Sequence, residues 1–238
     1  MSTIHFAAVR QTLRLEGGAQ LLRCHMESAQ GLAYEPGQYI IINSGLPNAE
    51  GKPLKRAYTL FAVNEDGTEF SLLAEKLPSA GVSVYLNERE VGDRLQFTGP
   101  WGKFKTLPET DTPVPGAVCF AFGTGINALL GLLNRNLPAP KTHLFWFRDA
   151  NTAFMSDVCL RDHLPHNLHE LKIEDLEAYS EERAQELLAD LAWAKDHDLY
   201  LAGEGHWTDG LAEGFLALGA QPERMRREVF YRSPRQGV

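Results

Sequence analysis

Cysteine is scarce in this chain: Cys24, Cys119 and Cys159 are three in 238 residues, far apart and odd in number. That count offers no disulfide framework. It also leaves too few thiolates for a plant-type iron–sulfur cluster, which takes four, most of them closely spaced. No apolar run approaches the ~20 residues that span a bilayer. Met1-Ser2-Thr3-Ile4-His5 has no basic stretch ahead of an apolar one, so neither a membrane span nor a signal peptide is expected. Positive charge is in short supply too. With 23 Lys and Arg against 31 Asp and Glu the formal net charge is −8, which argues against nucleic acid or an acidic membrane as a general partner. His163, His166 and His169 recur every third residue, but Pro165 breaks any helix that would align them, so a polar loop and no metal site are expected. A cytoplasmic location is the expectation that these absences leave.

What is present divides in two. Residues 1–107 hold short β-prone runs, among them 5–10, 13–15, 20–24, 38–42, 57–61, 69–73 and 94–97. Turn signals separate them at Gly17-Gly18, Pro36-Gly37, Asn64-Glu65-Asp66-Gly67 and Gly92-Asp93. This is the pattern of an antiparallel sandwich or barrel. A stretch rich in Pro, Thr and acids, 106–116, then reads as a linker. From 112 to 238 the pattern is α/β. Ala117-Val118-Cys119-Phe120-Ala121-Phe122 is unbroken and apolar, as in a buried parallel strand. A helix at 126–133, a strand at 143–147, an acid-headed helix from Ser180, a strand at 198–203 and a helix at 208–218 follow. Trp146 and Trp193 read as core residues, and Cys119 as packing.

The chemistry-bearing residues come in a set order. Arg56-Ala57-Tyr58-Thr59 is followed by Gly81-Val82-Ser83, Gly92-Asp93 and Gly99-Pro100-Trp101-Gly102-Lys103-Phe104, and Gly123-Thr124-Gly125 opens the second half. An arginine's planar fork suits a phosphate. A tyrosine two residues on shares its face of a strand and can stack on a flat ring. Glycines between a buried strand and a helix let a dinucleotide approach the backbone.

In this order the motifs resemble the ferredoxin–NADP reductase superfamily, densest from Pro36-Gly37-Gln38-Tyr39 to Phe104. The resemblance implies an N-terminal antiparallel, six-stranded flavin-binding β-barrel and a C-terminal open parallel α/β nucleotide-binding domain. It implies that Arg56 binds the flavin phosphate, Tyr58 packs on the isoalloxazine and Thr59 hydrogen-bonds near N5, with Ala57 in the same contact. Gly81, Val82 and Ser83 would serve the pyrophosphate, which favours FAD over FMN. Gly123, Thr124, Gly125, Gly203 and Glu204 would hold NADH or NADPH, and Glu228 would stand near the reactive edge of the flavin. Tyr58, Thr59 and Glu228 are the catalytic candidates.

The chain also departs from the family. Asn127-Ala128 replaces a small residue and Pro, Ala202-Gly203-Glu204 replaces Cys-Gly-Pro, and Arg148-Asp149 ends the strand where Gly-x-Arg is usual. Asp149 favours two free ribose hydroxyls and Arg148 a 2′-phosphate, with the balance tilted to NADH. The expected activity is hydride transfer from NADH or NADPH to FAD, then single electrons to a separate carrier such as ferredoxin or flavodoxin. Two alternatives stand beside it: a reductase of free flavin, ferric chelates or oxygen, and a flavin-binding electron-transfer subunit or redox sensor that uses nicotinamide poorly.

Overall fold

The computed structural model describes residues 3–15, 18–75, 81–108, 113–148, 163–176 and 179–231. The chain divides into two compact units, 1–103 and 104–238. The break falls a few residues ahead of position 107 because Phe104 and Leu107 pack with the second unit. The Phe104 ring meets Tyr200 edge-on at 6.0 Å, and the Leu107 N–H donates to Tyr200 Oη at 2.9 Å.

In the first unit β1 (Ile4–Arg14), β2 (Gln20–Met26), β3 (Tyr39–Pro47), β4 (Pro53–Thr59), β5 (Glu69–Ala74) and β6 (Arg94–Trp101) form one antiparallel sheet. Its order is β4-β3-β6-β1-β2-β5. The end strands β4 and β5 approach each other, and α1 (Gly81–Asn87) lies on β3, β4 and β5, so the sheet curls into a barrel. Alternation sets the inside: Ile40 and Ile42 are fully buried while Tyr39 and Ile41 are half-buried. They join Leu22, Phe70, Leu95 and Phe97 in one core, each large side chain contributing about 1.5–3 kcal/mol. The runs 5–10 and 13–15 prove to be a single strand with a bulge between Val9 and Gln11. There Val9 donates its N–H to Asp93 O at 2.8 Å and accepts from Gly92 at 2.9 Å. The Gly92-Asp93 motif thus serves the bulge.

In the second unit β7 (Ala117–Phe122), β8 (Thr142–Arg148), β9 (Glu170–Asp175), β10 (Asp198–Glu204) and β11 (Met225–Tyr231) form a parallel sheet in the order β11-β10-β7-β8-β9. All six residues of the central β7 are buried, because both faces of the sheet are covered. Phe120, Phe122, Phe145, Phe147 and Leu201 pack with α3 (Glu181–Asp190) and α4 (Gly205–Ala217). The alternate residues Cys119, Ala121, Trp146 and Ala202 point to the other face, where α2 (Ile126–Arg135) packs on β7 and β10.

Ser180 caps α3, its Oγ accepting from Arg183 N at 3.1 Å. Helix α4 starts at Gly205, ahead of the expected Thr208, and β9 has no counterpart in the sequence reading. Trp146 is fully buried as expected. Trp193 is not: it is 39% exposed on a 3-10 turn, Ala192–Asp196.

Candidate functional site

In the first unit Arg56 and Tyr58 lie on the face of edge strand β4 that pairs with buried Ile42 and Ile40. Tyr58 packs against the barrel core. Its hydroxyl is buried with no hydrogen-bond partner among the described residues. Burial pushes the phenol up to about 12, opposed by the nearby Arg56 charge. Among the described residues no carboxylate pairs with Arg56. A free guanidinium beside an unsatisfied phenol is a donor set lacking its acceptor, which fits a phosphate-bearing flavin. Ala57 is exposed on the opposite face, and Thr59 is half-buried opposite Tyr39.

Helix α1 starts beside this strand. A Cβ on Gly81 would meet Leu54 Cδ1 at 2.6 Å, so the helix start and β4 are in close contact. Val82 is a core residue. Ser83 is buried, and its hydroxyl donates to the Glu75 carbonyl inside the unit.

In the second unit the predicted residues gather at the C-terminal ends of β7, β10 and β11. Strands β8 and β10 leave β7 on opposite sides, so this end is a topological switch point, where open α/β sheets bind ligands. Gly123–Gly125 is a 3-10 turn running directly into α2. A Cβ on Gly125 would clash with the Ala202 carbonyl, and one on Gly203, at φ +134°, with the Phe122 carbonyl. Both glycines are therefore required by the contact of β7 and β10 themselves, whatever ligand approaches. Thr124 is the half-exposed member of the turn. Glu204 is buried and leads into α4, its carbonyl accepting from Thr208 Oγ1 at 3.1 Å.

Glu228 pairs in register with Ala202. Burial raises its carboxyl above the usual range, and no described residue hydrogen-bonds or ion-pairs with it. Asn127 is 5% exposed, and its Oδ1 has no partner among the described residues. Unsatisfied polar groups at a switch point fit a polar nucleotide. The sequence reading took Trp146 as core alone, but its Nε1–H donates to Gly123 O at 3.0 Å; a buried indole usually finds an acceptor, which was the available signal. Asp149 lies outside the described residues.

The histidine series is elsewhere. His169 packs on His143 at 4.4 Å, and His143 Nδ1 meets Glu170 Oε2 at 3.0 Å. Both lie at the N-terminal ends of β8 and β9, opposite the glycine turns.

Comparison with known proteins bears on both units. Residues 8–106 match the family model described as oxidoreductase FAD-binding domain. The chain is 30% identical over 140 residues to ferredoxin–NADP reductase B of Sorangium cellulosum (strain So ce56), covering 58% of this chain and 54% of that protein. It is 28% identical over 119 residues to NADH-cytochrome b5 reductase 1 of Cryptococcus neoformans var. neoformans serotype D (strain JEC21), covering 49% of this chain and 38% of that one. The chain thus spans about half, or less, of the length of these relatives. The siderophore interacting protein of Acinetobacter baumannii superposes with a TM-score of 0.74 at 19% identity, over 97% of this chain and 91% of that one. At that identity the likeness is one of fold.

Proposed function

We propose, from the match of residues 8–106 to the family model described as oxidoreductase FAD-binding domain, that the chain is an NAD(P)H-dependent flavoprotein reductase that passes electrons to a separate carrier, a ferredoxin or flavodoxin. The observation that carries the reading is the pair Arg56 and Tyr58, among the described residues a cation without a carboxylate beside a buried phenol without a partner.

FAD, when bound, supplies hydride acceptance from NAD(P)H and stepwise release of electrons. The residues of this chain bind and orient. Arg56 holds a flavin phosphate through its planar fork. Tyr58 keeps its proton across the neutral range, since burial has pushed its phenol up to about 12, and so acts as a hydrogen-bond donor throughout. Thr59, next along β4, offers a second hydroxyl to the ring edge, and Gly81 and Val82 border the pyrophosphate.

In the second unit the turn Gly123-Thr124-Gly125, together with Gly203 and Glu204, receives NADH or NADPH. Glu228, held toward its protonated form by burial, offers a proton or a donor beside Ala202. The match to ferredoxin–NADP reductase B supports a soluble carrier; that to the cytochrome b5 reductase supports a haem protein as the rival acceptor.

The test is the anaerobic visible spectrum of the FAD-loaded protein on addition of NADH, then NADPH, then oxidised ferredoxin, flavodoxin, cytochrome b5 or ferric citrate. Bleaching within seconds and reoxidation by ferredoxin or flavodoxin are expected. Persistent colour with both nucleotides would sink the reductase reading in favour of a flavin-binding subunit. Reoxidation by cytochrome b5 or ferric citrate alone would move the acceptor.

A further inference from the structure

A buried tryptophan at the centre of a sheet usually needs no explanation beyond packing. Trp146 has more to explain. It is fully buried in β8, yet its one polar atom reaches another segment of chain, donating to the carbonyl of Gly123 at 3.0 Å. Gly123 begins the turn into α2 and sits at φ +55°, a region that glycine enters and leaves freely. A hydrogen bond to its carbonyl from a side chain locked in a sheet holds the turn in one arrangement.

The register shows what that arrangement serves. Trp146 pairs with Ala121, Ala121 with Ala202, and Ala202 with Glu228. One row on one face of the sheet therefore runs from the indole across two alanines to the carboxylate that no described residue partners. The Gly123–Gly125 turn rests on this row, Gly125 lying against the Ala202 carbonyl. The indole also faces the end of its own strand, with the Arg148 guanidinium 5.9 Å from its ring.

We infer that Trp146 is a positioning residue for the nicotinamide nucleotide: through its hydrogen bond to Gly123 it sets the turn whose backbone N–H groups meet the ligand. The inference rests on the second unit being the NAD(P)-binding half. It separates two properties. Loss of the N–H loosens the turn and weakens nucleotide binding, while the flavin half, built on other strands, keeps its cofactor.

The experiment compares Trp146→Phe, which keeps an aromatic ring and removes the donor, with Phe145→Leu. Phe145 is the preceding residue, as deeply buried, on the opposite face and stacked on Phe120 at 5.3 Å. On the FAD-loaded full chain, calorimetry gives the Kd of NAD+ and NADP+, hydrogen exchange reports residues 123–128, and melting gives Tm.

Trp146→Phe should raise the Kd about three- to tenfold, the range of a single neutral hydrogen bond. It should speed exchange in the turn and leave flavin content and the reduction rate at saturating nucleotide unchanged. Phe145→Leu should lower Tm without moving the Kd. An unchanged Kd in Trp146→Phe, or an equal loss in Phe145→Leu, would overturn the inference. If the wild-type protein binds neither nucleotide, the reading of the second unit fails and the inference with it.

Discussion

Replacing Tyr58 by Phe removes one oxygen and should move the empty and the FAD-loaded protein in opposite directions. The oxygen is buried without a partner among the described residues, a state that costs about 1–3 kcal/mol. The ring is only half-buried, so the lower figure applies, and the apoprotein should gain about 1 kcal/mol on losing the hydroxyl. In a unit of about a hundred residues that raises Tm by roughly 4–8 °C. With FAD bound as proposed, the same hydroxyl would have an acceptor. Its loss then costs about 0.5–1.5 kcal/mol for a neutral acceptor and about 1.5–3 kcal/mol for a phosphate, or roughly twofold to a hundredfold in Kd. Melting curves of both forms, with FAD affinity from quenching of flavin fluorescence, read the two effects separately. A lower Tm in apo Tyr58→Phe, or an FAD Kd within experimental error of wild type, would refute the assignment of this hydroxyl to the cofactor.

Arg56→Ala should weaken FAD about tenfold to a hundredfold, the loss of a charge-assisted hydrogen bond; full occupancy after gel filtration would remove Arg56 from the phosphate. Gly203→Ala should destabilise by about 1–3 kcal/mol or more, since φ is +134° and the new methyl meets the Phe122 carbonyl; a urea midpoint equal to wild type would contradict that contact. Glu228 has a raised carboxyl pKa, so the folded chain keeps its proton to higher pH than the unfolded chain does. Its stability contribution is complete below the unfolded pKa and is lost as pH rises through the folded one. Glu228→Gln should therefore gain in Tm over wild type as the pH is raised from about 4 to 7, while nucleotide-dependent flavin reduction slows. A Tm difference flat with pH would show that the carboxylate is not desolvated.

The elements most legible in the sequence are those whose burial is simplest. β7 is buried on both faces and announces itself as an uninterrupted apolar run. Ser180 with Glu181 and Glu182 marks the start of α3 by capping and dipole chemistry that acts within one turn. β9 left no trace because Glu170–Asp175 is an edge strand, one side exposed, its charged residues suited to blunting that edge. The bulge in β1 hid a continuous strand, since the irregular residues between Val9 and Gln11 break the period of two on which strand recognition depends. At the site, Arg56 and Tyr58 were legible as a spacing on one strand face. That Ser83 turns inward was not, because its acceptor is a backbone carbonyl, a group that every residue carries.

The glycine motif of the second unit shows why spacing alone overstates a ligand. Gly125 and Gly203 are each excluded from having a side chain by a neighbouring carbonyl of the same unit, so their presence would be explained even if nothing bound there. What points to a ligand at that end of the sheet is the polar chemistry left open. Among the described residues Glu228, half-buried, has no partner, and the buried oxygen of Asn127 has no donor. Packing explains a glycine, but packing does not explain an unsatisfied acceptor, which costs stability until something donates to it. Asn127 is also where the chain leaves the family pattern, with an amide in place of a small residue. The missing Pro, at Ala128, is the change in loop stiffness; Asn127 is an added acceptor in the first turn of α2. That oxygen is buried beside a turn to which Trp146 donates a hydrogen bond, so on the proposed reading the acceptor, rather than the lost stiffness, is the part of this departure that bears on a nucleotide.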